Sequence, residues 1–138
     1  MRTSEDALIS RQGPRAVISW GSIIYGALLS GIAAAILVAT ALRERRPAVL
    51  ATAAVAASVG PVAWNAILRD TNSAGFFVDA PIGVLPASWQ DTGSGVVAVA
   101  ASAVALGLGP FREGTGRRVA LAAALCGVAA FLVDVYLY

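Results

Sequence analysis

The chain has 138 residues, of which 58% are apolar and only 13% charged, with a mean hydropathy of +0.76. This excludes a disordered chain and a basic nucleic-acid binder, and it departs from soluble domains, where about 25% of residues are charged. There is no His or Lys, all ten positive charges are Arg, and Cys126 is the single cysteine, so His acid–base chemistry, an internal disulfide and a thiolate metal cage are excluded.

A bilayer span needs about 20 mostly apolar residues, and four segments qualify. The first runs from Val17 to Leu42, between Arg15 and the Arg43-Glu44-Arg45-Arg46-Pro47 turn. Its 26 residues would reach about 39 Å as a helix, long enough to tilt. Ala39-Thr40-Ala41 has the small-x-small form of a signal-peptide cleavage site, but the apolar run exceeds the usual 7–15 residues, so an uncleaved span is expected. The second span runs from Ala48 to Leu68 and carries Gly60-Pro61, expected to kink it. The third covers about 88–111, with Pro86 suited to a helix start, and the fourth about 119–138. The expected fold is all-α: an integral membrane four-helix bundle in a single membrane domain, 1–138. A soluble bundle would need a polar stripe on each helix, yet between Ile23 and Leu42 only Tyr25, Ser30 and Thr40 are polar.

In the first span Ser22, Gly26, Ser30 and Ala34 recur every fourth residue, with Gly31 in a parallel row. Small residues on one face let helix backbones approach closely in lipid. The row is expected to pack within the bundle or to dock another subunit.

Charge is sorted along the chain. The turns 43–47 and 112–118 carry six arginines against two glutamates, a net +4, whereas the termini and the loop 69–94 carry a net −2. The Arg bias places the turns in the cytoplasm and the termini outside. Trp20, Tyr25, Trp64, Phe76, Phe77, Trp89, Tyr136 and Tyr138 cluster toward the terminal side, as interfacial anchors do. Loop 69–94 is too apolar for a solvated linker; Phe76, Phe77, Asp79, Trp89 and Asp91 are its expected interface residues, toward lipid or a partner. Asp79, Asp91, Asn65 and Asp134 supply hard oxygen ligands, but their spacing matches no metal motif and Asp91-Thr92-Gly93-Ser94 reads as helix capping. Asp134, four residues from the end, is expected to reach the interface.

Ser-Trp occurs at 19–20 and 88–89, and Arg-Glu at 43–44 and 112–113, both pairs 69 residues apart. Asn65 falls opposite Asp134 in that register. Two duplicated hairpins, 1–69 and 70–138, would explain it, with a symmetry axis along the membrane normal. The four short spans are similar to those of the small multidrug resistance transporters, but the acidic residue of that family's first span has no counterpart here, which counts against drug–proton exchange.

Arg-only, Ala- and Gly-rich usage points to a high-GC bacterial source and hence to the inner membrane. No catalytic, cofactor or metal site is expected. The expectation is a non-catalytic accessory or scaffold subunit of a larger envelope or transport complex, lipid import being one example. Its partners would be membrane lipids and other membrane subunits, with no nucleic acid. The alternative is a small homo-oligomeric transporter or channel.

Overall fold

The computed structural model describes residues 18–71 and 85–137. They form four α-helices: α1 (Trp20–Ala41), α2 (Pro47–Asp70), α3 (Trp89–Leu108) and α4 (Gly116–Leu137). Each is long and apolar enough to cross a bilayer. Each helix packs on its sequence neighbour, α1 closes the ring on α4, and α2 also touches α4 across the diagonal, while α1 and α3 do not meet. The starts of α1 and α3 share one end of the bundle with the ends of α2 and α4 (the terminal end). The two tight connections make the other (the turn end).

The lining of the bundle is small and its outside is large. On α1, Gly26, Ser30, Ala34 and Val38 are buried in one row of every fourth residue. The opposite row, Ile24, Leu28, Ile32 and Ile36, is more than half exposed. On α4 the buried row is Ala122, Cys126, Ala130 and Asp134, while Leu121, Val128, Leu132 and Tyr136 face outward. In water this arrangement would leave large aliphatic faces wet. In hydrocarbon it is favourable, because small residues let backbones close up and bulky ones meet lipid. The molecule is therefore a multi-pass membrane bundle.

The small faces are used inside the chain. A Cβ added to Gly31 would lie 2.5 Å from Ser58 Oγ and 2.8 Å from Ala54 O on α2. The Ser58 hydroxyl donates to Ala27 O at 2.8 Å, crossing from α2 to α1. Gly26, Ser30, Gly31 and Ala34 are all buried and Ser22 half-buried. On the α2–α3 side, a Cβ at Gly60 would meet Ser94 O at 2.5 Å and Ala98 Cβ at 2.7 Å.

Helix ends follow local chemistry. Ser19 caps α1, its Oγ accepting from Ser22 N at 3.1 Å. Ser88 caps α3 in a reciprocal box: Asp91 N donates to Ser88 Oγ, and Ser88 N to Asp91 Oδ2 at 2.7 Å. Pro47 opens α2 at N1, where its missing N–H costs nothing. Pro61 leaves α2 one continuous helix from Pro47 to Asp70. The third span stops earlier than expected, at Leu108, because Pro110 disfavours a helical residue before it. The fourth starts earlier, at Gly116, and so takes Arg117 and Arg118 into its first turn. Arg43 takes a left-handed backbone, φ 52°, where the chain leaves α1, the position that commonly terminates a helix.

A shift of 69 carries Trp20 onto Trp89 and Pro47 onto Gly116, the first residues of α1, α3, α2 and α4 respectively. The Arg-Glu turns do not match in environment: Glu44 is buried and Glu113 exposed.

Candidate functional site: a buried polar centre

The buried rows become polar toward the terminal end. On α2 the row Ala53, Ala57, Pro61 ends in Asn65, and on α4 the row Ala122, Cys126, Ala130 ends in Asp134. On α3, Gln90, Ser94, Ala98, Ser102 and Leu106 are all buried. Asn65 is 18 residues on from Pro47, and Asp134 is 18 on from Gly116. Both therefore lie about 27 Å along their helices, toward the far edge of a hydrocarbon layer about 30 Å thick.

Asp134 is fully buried, which overturns the expectation that it reaches the interface. Orientation around the helix decides this. Asp134 continues the small-residue row that faces the bundle, whereas Leu132 and Tyr136 on either side face out. Gln90 Nε2 donates to Asp134 Oδ2 at 3.3 Å across the α3–α4 contact. Ser94 adjoins the carboxyl group from α3, and Asp91 brings a second carboxylate near it. Asp134 Oδ1 and Asn65 Oδ1 accept no hydrogen bond. The Asn65 amide is spent locally, donating to Pro61 O at 2.9 Å. Since nearly every buried polar atom in a native protein finds a partner, two open acceptor oxygens on buried side chains set this end apart.

Asp91 was expected among the loop's outward interface residues and is not there. It is 4% exposed and committed to the Ser88 capping box. Trp89 does face outward, at 68% exposure. Phe76, Phe77, Asp79 and Tyr138 lie outside the described residues. Among the aromatics that are described, Trp20, Tyr25 and Tyr136 are exposed. Trp64 lies against the bare backbone of Gly93. The Arg69 guanidinium stacks over the Trp20 ring at 4.8 Å and donates through Nη2 to Ile18 O, tying the start of α1 to the end of α2.

Gln90 and Ser94 were not foreseen from the sequence. Their signal was the fourfold spacing of Gln90, Ser94 and Ser102, the same spacing that marked the small-residue row of α1.

The turn end is built around a different acid. Glu44 is 3% exposed. Its Oε1 accepts from Arg45 N at 3.0 Å, Arg46 N at 2.9 Å and Arg46 Nε at 3.1 Å. Its Oε2 accepts from Arg46 Nη2 at 3.1 Å and Arg118 Nη2 at 2.8 Å. The Arg46 side chain, then the Arg46 amide, hold the Glu44 carboxyl at about 2 against the opposing effect of burial. The same contact raises the Arg46 guanidinium. Both guanidiniums lie over Phe111, at 5.1 Å and 5.2 Å from the ring centre. One carboxylate and one ring thus bind the α1–α2 turn to the α3–α4 turn.

Among the described residues no group of three or more His, Cys, Asp or Glu could hold a metal ion. No family model matches the chain, and neither a curated protein nor a solved structure matches it.

Proposed function

We propose that the chain is a non-catalytic subunit of a membrane transport assembly and that Asp134 is the residue on which this role depends. The observation that carries the reading is the complete burial of Asp134 within a membrane span, with one carboxylate oxygen on Gln90 and the other open. An ionisable side chain is costly inside a membrane, and those that persist usually serve ion or substrate movement. The close approach at Gly31 and Gly60 leaves little space within one copy, which favours a path formed between chains. The companion chains are either different subunits of an envelope complex in a bacterial inner membrane or further copies of this one.

Two experiments divide these readings. Purification in mild detergent with crosslinking is expected to recover stoichiometric partner chains; recovery of the isolated monomer alone counts against a subunit role. Proteoliposomes containing the purified protein, probed with protons and sodium ions, test the homo-oligomeric form. Flux that disappears in Asp134→Asn supports it, and flux unchanged in that variant removes Asp134 from the mechanism.

A further inference from the structure

We infer that the turn end holds a site for an anionic phospholipid, its phosphate against Arg46, Arg112 and Arg118 and one acyl chain in the outer groove between α2 and α3. The inference is independent of the role proposed for Asp134, which lies at the opposite end.

A polar groove of about 370 Å³ opens at the turn end, where Arg46, Arg112 and Arg118 outnumber the single carboxylate in its lining, Glu113, which pairs with Arg112 at 3.4 Å and is itself exposed. Glu44 occupies only part of the donor capacity of its two arginines. A guanidinium carries five N–H donors. Arg46 spends Nε and Nη2 on Glu44, and Arg118 spends Nη2. Both side chains remain about half exposed. The groove therefore presents guanidinium groups already oriented by a carboxylate and an aromatic ring. Pre-orientation lowers the cost of engaging a phosphate, which matches the planar fork of Arg. The first turn of α4 lies beside them, and a helix start favours an anion. Arg43, Arg45 and Arg117, all exposed, add positive charge at this end.

The second half of the site is apolar. A groove of about 450 Å³ lies on the outer side of α2 and α3, lined by Thr52, Val55, Val59, Ala101 and Ala105. The basic groove meets the ends of these two helices at Arg46 and Gly109, and the rest of its lining comes from the α3–α4 turn and α4. Arg46 is the N-cap of α2, with Thr52 less than two turns further in; Gly109 is the C-cap of α3 and donates to Ala105 O. A basic groove at membrane-surface height, with an apolar groove directed into the hydrocarbon from the same helix ends, fits a molecule with a phosphate head and an acyl tail. A soluble phosphate would use the first groove and ignore the second.

The test uses the purified full chain in a neutral detergent, titrated with dioleoylphosphatidylglycerol, dioleoylphosphatidylcholine or inorganic phosphate, with thermal unfolding followed by circular dichroism. The expected result is a saturable rise in melting temperature with phosphatidylglycerol alone. Equal responses to phosphatidylcholine overturn the role of the arginines. An equal response to inorganic phosphate overturns the lipid assignment in favour of a free anion. Arg112→Gln, at an exposed position outside the Glu44 cluster whose ion pair with Glu113 is open to solvent, is expected to weaken the apparent affinity for phosphatidylglycerol about fivefold. Ala101→Phe, which fills the apolar groove without touching charge, is expected to weaken it as well. Undiminished affinity in Arg112→Gln overturns the headgroup site, and undiminished affinity in Ala101→Phe overturns the acyl groove.

Discussion

Glu44 at the turn end of this bundle and Asp134 at the terminal end are both buried acids, and their surroundings treat them in opposite ways. Glu44, at the turn end, accepts five N–H donors, from Arg45 N, from Arg46 N, Nε and Nη2, and from Arg118 Nη2. Asp134, at the terminal end, accepts one, from Gln90 Nε2. The first is a charge compensated so fully that it acts as a brace between two turns. The second is held in a neighbourhood that contains another carboxylate, Asp91. Equal burial therefore does not mean equal purpose. Taking one partner away from a buried, well-paired acid is costly, whereas an acid left short of partners is itself a cost to the fold.

The largest effect should come from Glu44→Ala. It removes the carboxylate that both Arg46 and Arg118 share, leaving only the Phe111 ring between the two guanidiniums, and leaves two turn amides without their acceptor. Hydrogen bonds to a charged group contribute about 1.5–3 kcal/mol each when buried, discounted here because both guanidiniums are half exposed. A loss of about 2 kcal/mol is expected, measured by denaturant or thermal unfolding in detergent. A change near zero would mean that the turns hold together without the brace.

The acid limb of stability gives the next contrast. The Glu44 carboxyl sits at about 2 in the folded protein against an ordinary 4.5. Its contribution is therefore complete above pH 4.5 and drains away as the pH falls toward 2. Comparing the parent with Glu44→Gln, the difference in melting temperature should shrink across that window. A difference that stays constant from neutral pH to pH 2 would contradict the ionised brace.

Ser88→Ala acts at the terminal end. It takes away the cap of α3 and frees Asp91 from its box, at a cost of about 1 kcal/mol. It should also disturb the surroundings of Asp134 through Gln90, on the same helical turn as Asp91. The smallest stability effect is expected from Asp134→Asn. The substitution replaces a poorly partnered acid with an amide of the same size. Stability should stay level or rise by up to ~1 kcal/mol.

The four spans were legible in the sequence because length and apolarity alone mark a helix that crosses a bilayer. Their boundaries shifted where local chemistry intervened. Pro110 stopped α3 at Leu108, and α4 absorbed Arg117 and Arg118 because long basic side chains tolerate a helix start near the membrane surface. Distance to the chain end does not decide the environment of Asp134; its place around the helix does. The information was present: Ala122, Cys126 and Ala130 precede it at intervals of four, and every one is buried. The same spacing would have found Gln90 and Ser94. The Glu44 brace was not legible, since Arg118 is 74 residues away in sequence, and only the antiparallel return of α4 brings it alongside.

The measurement that bears most directly on the contrast is a paired one: thermal unfolding of Asp134→Asn and Glu44→Gln in the same detergent at neutral pH. The two substitutions each replace one buried carboxylate with its amide. Asp134→Asn is expected to melt at or above the parent and Glu44→Gln below it. If Asp134→Asn melts as far below the parent as Glu44→Gln does, Asp134 is a structural brace like Glu44, and the distinction between the two ends fails.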